Sequence, residues 1–207
     1  MLHQVADELP LFPLEGVVLM PGALLPLHVF EPRYRRLVEH VREGSGLVGI
    51  ATLMDRGGPD AERPPIWPEV GVGEIVGYQP FPDGRSNIVL QHVGTVEVHT
   101  ELDSPHPFRI ARGRAIDLDR SGAEAAMRSL QLMVLQLGTI TPAAAAEARR
   151  LVDLEPVELV DSLARKLLQR VDQQRAYLGA ARLVDRVEMV RSGLAGFMAV
   201  ASPHASA

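Results

Sequence analysis

The sequence contains no cysteine in its 207 residues, which excludes disulfides, thiolate metal sites and cysteine nucleophiles. Lysine is nearly absent as well, since Lys166 stands alone among 21 basic residues. A phosphate-binding loop needs Gly-Lys-Ser/Thr, because the lysine reaches the β- and γ-phosphates. Here the single lysine lies in Arg165-Lys166-Leu167, within a helical pattern, so ATP hydrolysis by that device is excluded. Aromatic residues make up only 4% of the chain. No apolar run approaches membrane-spanning length. The polar, acidic stretch Met1 to Glu8 is unlike a signal peptide, and a soluble cytoplasmic protein is the expectation. There is no His-Glu-x-x-His pattern, and His40, His92, His99 and His106 have no ligand spacing. Neither a metal nor a cofactor is expected.

Charge is unevenly divided. Of the net −5, residues 1–118 carry −6 and residues 119–207 carry +1. The first half therefore repels phosphate backbones. The length accommodates one large domain or two small ones with an ample core.

What is present begins with residues 9–54. Leu-Pro-Leu-Phe-Pro-Leu is followed by Gly-Val-Val-Leu-Met-Pro-Gly and Leu-Pro-Leu-His-Val-Phe-Glu-Pro-Arg-Tyr. Pro13 and Pro21-Gly22 are expected to break these apolar runs into short strands, since proline removes a ladder donor. Pro32 suits a first helical turn. Tyr34, Leu37, Val38 and Val41 recur at i, i+3, i+4, i+7, the signature of one buried stripe, and Gly44 is expected to supply a left-handed stop. Leu47 to Met54 is apolar on both faces and reads as a central strand.

A long exposed loop is expected from Asp55 to Pro68, with Trp67 at its end. Val70 to Pro80 reads as a strand with Val70, Val72, Val76 and Tyr78 on one side. Its glycines, on the other side, suggest a bulge or a closely approaching backbone. Asp83-Gly84 signals a hairpin. Ser86 to Val93, Thr95 to Leu102 and Phe108 to Ile116 follow as strands, with Val96, Val98, Thr100 and Leu102 on a common face. Some seven short strands suggest a small barrel or folded sheet. The period then changes near Asp117 to Gly122. Ser121-Gly-Ala-Glu124 reads as a capping box, and four helices follow, the last carrying Leu183, Val187, Val190, Leu194 and Phe197. Short connections make these a helical bundle.

The runs Leu9–Phe12, Gly16–Gly22, Leu25–Tyr34 and Gly49–Ala51 resemble the start of the Lon protease amino-terminal, substrate-binding domain. Val72–Val76 with Asp83–Ile88, and the helical segment Leu159–Leu194, extend the resemblance over most of the chain. It implies an α+β fold, a PUA-like β-barrel with one inserted helix (1–118) followed by a carboxyl-terminal helical bundle (119–202) and a tail (203–207). It further implies a stand-alone form without the ATPase and serine–lysine peptidase modules. Such a protein would be non-catalytic and would bind polypeptide substrates or a partner protein.

Ser162 and Lys166 are spaced i, i+4 and could touch, but no oxyanion donors are implied nearby; two polar residues flanking an apolar stripe is the plainer reading. His28 is expected to be a hydrogen-bonded structural histidine. Arg33, Arg35, Arg36 and Arg42 form a basic helix face interleaved with Glu39 and Glu43, with Arg35 and Glu39 as an i, i+4 pair, a pattern typical of a solvated surface. The candidate peptide-binding residues are Trp67, Phe81 and Phe108, aromatics at loop or strand ends. Trp67 is favoured because the prolines near it stiffen its backbone. An apolar groove between barrel and bundle, or a barrel edge strand, would receive the peptide. The alternatives are an RNA-binding PUA-like module, against which the charge argues, an enzyme with a site invisible in sequence, and a structural oligomerisation unit such as a homodimer.

Overall fold

A computed structural model describes residues 2–54, 63–139 and 142–201, with side chains in the last helix as far as residue 198. Residues 55–62 of the expected loop, residues 140 and 141, residue 202 at the expected end of the bundle and the expected tail at 203–207 lie outside the described residues. The chain divides into two compact units, Met1–Ile116 and Asp117–Ala207, giving a mixed α+β protein with its sheet in the first and its helical array in the second.

The first unit contains, in order, α1 (Leu2–Val5), β1 (Leu9–Leu14), β2 (Leu24–Val29), α2 (Pro32–Glu43), β3 (Leu47–Thr52), β4 (Glu69–Pro80), β5 (Ser86–Leu102) and β6 (Arg109–Ala115). Six strands, not seven, are present among the described residues. The sheet order is β2-β5-β4-β3-β1-β6, and β6 pairs again with β5. One edge of β5 serves β4. Its other edge pairs residues 86–91 with β2 and 96–102 with β6. Only β1 and β3 run parallel among the described strands, and α2 lies in the crossover between β2 and β3.

Pro13 does not end a strand but lies within β1, opposite Ala51 of β3. Pairing with β6 stops at Leu11, so Pro13 sits where the strand has a single partner, a position that tolerates a missing donor. The apolar run Val17 to Met20 forms no strand. It packs Leu19 into the core, where a Cβ on Gly71 would strike the Leu19 carbonyl oxygen. The expected close backbone approach at the β4 glycines is thus realised. β3 is buried along its whole length. Its Val48 and Ile50 join a cluster with the α2 stripe Tyr34, Leu37, Val38 and Val41. Leu47 and Ala51 join an opposite cluster with Leu9, Leu11, Val70, Val72 and Val96. Gly44 is not left-handed (φ −105°). Gly46 takes that conformation (φ 75°) two residues on, its N–H donating to the Val41 carbonyl at 2.8 Å.

Three single-residue bulges rearrange the expected strand faces. Val76 is the extra residue between Ile75↔Leu90 and Gly77↔Val89. It is exposed, and beyond it Tyr78 faces the α2 side, where the Arg42 guanidinium lies 3.7 Å from its ring centroid. Val93 is the extra residue between Val72↔Gly94 and Gly73↔His92, so the two expected strands are one continuous β5. His99 is the third, between Val98↔Gly113 and Thr100↔Arg112. Val98 therefore packs with Val96, whereas Leu102 packs on the opposite cluster. A bulge adds one residue and inverts every face after it.

The Asp83-Gly84 hairpin forms. Gly84 adopts φ 81°, and the Asp83 carboxylate accepts from the Arg85 N–H at 3.1 Å and from Arg85 Nε at 2.7 Å. The Arg85 backbone contact, more than its guanidinium, holds the Asp83 carboxyl below the usual range. The Arg35 guanidinium lies against Gly84, in the space a Cβ would take.

The second unit comprises α3 (Glu124–Leu137), α4 (Pro142–Val152), α5 (Pro156–Leu167), α6 (Val171–Gly179) and α7 (Leu183–Ala201). There are five helices here among the described residues, not four. Leu168 turns to an extended conformation, which ends α5 and separates Leu159, Leu163 and Leu167 from Val171 of α6. The Ser121–Glu124 capping box is absent. Ala123 occupies the N-cap position, Gly122 is left-handed (φ 69°), and the Ser121 N–H donates to Asp119 Oδ1 at 2.9 Å instead. Leu130, Val134, Leu159, Leu163, Val187, Val190 and Leu194 form the core, but Phe197, expected within it, is 55% exposed. One polar group is built into this unit. Tyr177 Oη donates to Asp161 Oδ1 at 2.6 Å, Arg186 Nη1 lies 3.7 Å from the same oxygen, and Arg186 Nε donates to the Ala180 carbonyl at 2.9 Å. Among the described residues no helix is long and apolar enough to cross a membrane.

Candidate functional site

β2 pairs only with β5 among the described residues, which leaves its outer edge open. Pro26 at its middle suits an edge strand. The strand alternates: Leu25, Leu27 and Val29 turn inward, while Leu24, Pro26 and His28 turn outward. Leu24 is 62% exposed and Phe30, just past the strand, is 59% exposed. Large exposed apolar side chains gathered on one surface mark interaction sites more often than scattered ones do.

His28 anchors the outward face. Its Nδ1–H donates to Oδ1 of Asn87, its cross-strand partner, at 2.7 Å, and Asn87 Nδ2 donates to Gln79 Oε1 at 3.3 Å. The expected hydrogen bond is therefore made, but at the surface. The imidazole stands between two phenyl rings, 6.1 Å from Phe30 and 6.0 Å from Phe81. A row Phe30–His28–Phe81 results. Beside it runs a groove of about 290 Å3 whose walls include Phe12, Leu14, Leu27, Phe30, Tyr34 and Leu53. Glu31 and Arg33, paired at 2.9 Å, add charge at its rim. Burial raises the Tyr34 phenol above its ordinary value despite the nearby Arg33 charge.

The three aromatics expected from sequence occupy different settings. Phe81 belongs to the surface row. Trp67 is half-buried, with its backbone N–H donating to the Thr52 carbonyl at 2.9 Å. Ile66, the residue before it, bridges Leu53 of the groove wall. Phe108 is 3% exposed and belongs to the core. A ring buried to that extent has no face to present to a peptide. Its visible role is to support two histidines: it stacks on His106 at 4.8 Å and lies 5.3 Å from His40. Phe30, His28 and Leu24 were not expected in the site. The signal was available, since 24, 26, 28 and 30 share parity along one strand and its end.

The other candidates have plain structural settings. The α2 arginines are engaged within the unit: Arg33 with Glu31, Arg36 with Glu39 at 3.0 Å, Arg35 over Gly84 and Arg42 over Tyr78. Glu39 therefore pairs with Arg36, its i−3 neighbour, and not with Arg35. The Lys166 ammonium pairs with Glu147 of α4, away from any serine chemistry. Among the described residues no group of three or more His, Asp or Glu could hold a metal ion.

The family model described as the ATP-dependent protease La (LON) substrate-binding domain matches residues 8–195. The chain belongs to that family. Lon protease 1 from Herpetosiphon aurantiacus is 28% identical over 86% of this chain and 21% of its own length. Lon protease from Trichlorobacter lovleyi is 24% identical over 93% of this chain and 24% of its own. The chain thus spans about a quarter or less of the curated Lon relatives it matches. Among solved structures, a Lon N-terminal domain protein from Xanthomonas campestris aligns with TM-score 0.62 and 21% identity, over 90% of this chain and 98% of that one. The N-terminal domain of a Mycobacterium avium complex Lon protease aligns with TM-score 0.67 and 14% identity, over 91% and 98%. Those two establish the Lon N-terminal fold. In this Lon substrate-binding domain, the side chains on the outward face of β2 and in the adjoining groove form a largely apolar surface.

Proposed function

We propose that this chain captures polypeptide, by exposed apolar segments, on the surface made by the outer face of β2, the row Phe30–His28–Phe81 and the adjoining groove, and that it carries out no chemistry itself. The observation that carries the reading is the exposure of Leu24 on an edge strand together with that of Phe30 just past its end. Buried apolar side chains hold a fold together, whereas these two are left in water. An extended segment can add along such an edge while its alternate side chains enter neighbouring pockets, and Pro26 limits how many main-chain bonds it can receive. Trp67 contributes at the far wall, through Leu53 and Ile66, and Phe108 contributes only through the core cluster it shares with Phe12 and Tyr34 of the groove wall. We read the returning strand order as a PUA-like barrel, and the chain as a barrel domain of residues 1–118 and a helical domain of residues 119–202. We expect it to act in the cytoplasm, recruiting or holding unfolded proteins. RNA is the poorer ligand, because the α2 arginines are engaged with carboxylates, rings and backbone and the first half of the chain is acidic.

The test is fluorescence anisotropy with a labelled leucine- and phenylalanine-rich unfolded peptide, its serine-substituted control and a structured RNA. Phe30→Ala is expected to weaken apolar-peptide binding by about 1–3 kcal/mol, the range for an interface anchor, with little change in the denaturant midpoint. Trp67→Ala should weaken it less and move the midpoint more, since its ring is half-buried. Equal binding of the serine control, or tighter salt-sensitive binding of RNA, would refute the proposal.

A further inference from the structure

The helical unit contains an apolar hollow open to solvent, lined by its own residues. It measures about 450 Å3, and its walls include Val134, Leu151, Leu163, Leu167, Leu194 and the exposed Phe197. Among the described residues, the charged groups that line it are Glu147 and Lys166. Arg150 Nε and Nη2 each reach the Glu147 carboxylate at 2.9 Å, and the Lys166 ammonium contacts the same carboxylate. Two cations therefore converge on one anion, a cluster with one surplus positive charge whose Lys166 lines the apolar hollow while Arg150 stands just outside the lining. Cavities of a few hundred cubic ångströms, mostly apolar with few polar groups, are the usual form of small-molecule sites.

We propose that this hollow binds a single-chain amphiphile with an anionic head, a fatty-acid-like molecule whose chain lies along the apolar walls and whose carboxylate meets the Lys166 ammonium, with the Arg150 charge close behind it. Size supports a chain of this kind. The hollow is of the few-hundred-Å3 size usual for small-molecule ligands. Charge selects the head: an anion gains from the surplus cation, whereas a quaternary ammonium meets repulsion. The Phe197 ring supplies apolar cover and the Lys166 ammonium the attachment point.

The experiment titrates the purified full chain by calorimetry with dodecanoate and with dodecyltrimethylammonium, both below micelle formation at neutral pH. Dodecanoate is expected to bind one per chain, at least tenfold tighter than the cation. Lys166→Glu should weaken dodecanoate tenfold or more and improve the cation, a reversal that mere unfolding cannot produce. Ala144→Phe, at the half-exposed wall position of α4, should remove dodecanoate binding with an unchanged circular dichroism spectrum. Leu167→Trp is the second filling variant should that one fold poorly. Equal affinity for the two heads, more than one molecule per chain, or binding that survives folded filling variants would overturn the proposal. So would a leucine-rich peptide that binds in place of dodecanoate and is lost in Ala144→Phe, since it would assign the cavity to polypeptide.

Discussion

Removing the Tyr177 hydroxyl tests the polar group buried in the helical unit. Tyr177→Phe keeps the ring, and with it the Arg186 guanidinium 5.0 Å from the ring centroid. What is lost is the 2.6 Å hydrogen bond to Asp161. A hydrogen bond to a charged group contributes about 1.5–3 kcal/mol, and that is the expected loss at neutral pH. Asp161→Ala should cost more, about 3–5 kcal/mol, because it strands Arg186, only 6% exposed, without its carboxylate. Adding Tyr177→Phe to Asp161→Ala should then cost under about 1 kcal/mol, since its partner is already gone. The effect also depends on pH. Burial pushes the Asp161 carboxyl above its ordinary value, and the Tyr177 hydrogen bond opposes the shift. The native state therefore holds that proton more tightly than the unfolded chain. The Asp161 contribution is fully present below its unfolded value and is lost as pH rises through the folded one. Without the hydroxyl the folded value rises further, so the wild-type advantage should be smallest in acid and grow as the carboxyl ionises. Urea melts at pH steps between 4 and 8 read this directly. A loss under about 0.5 kcal/mol that is flat with pH would refute the reasoning.

Gly84→Ala should cost about 1–2 kcal/mol from the left-handed backbone alone. Arg35→Ala in the same background should not restore it, because a guanidinium can swing aside; full recovery in the double variant, read by thermal melts, would mean that the side-chain contact and not the backbone sets the cost. Gly71→Ala meets the backbone carbonyl of Leu19, which has no such freedom. A loss at the upper end of about 1–3 kcal/mol is expected in denaturant melts, and a neutral result would contradict the packing described. Glu147 is held down to about 2, first by Arg150 and then by Lys166. A carbon-detected NMR titration should find its midpoint there, with its stabilising contribution present above the ordinary glutamate value and lost as pH falls through the folded one. In Lys166→Met the midpoint should rise.

The parts of the fold that were legible in the sequence are those fixed by local rules. Pro32 and the Tyr34–Val41 stripe locate α2, Asp83-Gly84 locates the hairpin, and the unbroken apolar run of β3 marks its burial on both sides. What escaped depends on single residues with no compositional trace. Val76, Val93 and His99 each add one residue to a strand without changing its pattern, so Tyr78 and Leu102 were assigned to the wrong face. Leu168 ends α5 in the middle of an outwardly continuous stripe. Ser121 is a good capping residue by type, but Asp119 takes its N–H first and Gly122 turns the chain away. The candidate surface was half-visible for a similar reason. An aromatic at a strand end can point either way, and the sequence alone does not separate Phe81, at the surface, from Phe108, in the core.

The position of β1 between β3 and β6 has a consequence for how the chain is made. Leu11 finds Gly49 and, on its other side, Arg109. During synthesis the second partner emerges about a hundred residues after the first strand, on the order of 5–20 s later at ordinary translation rates. The closing entropy of so long a loop is modest, growing by only about 0.6 kcal/mol per doubling, so the burden is one of time. Until β6 emerges, the Leu9–Leu11 part of this apolar segment lacks its second partner even when β3 is already in place. Pro10 and Pro13 suit it to the wait: each withholds a donor from any foreign strand that pairs along it. Pro13, which argues locally against a strand, thus joins Pro10 in guarding the segment from other nascent chains until its own partner arrives.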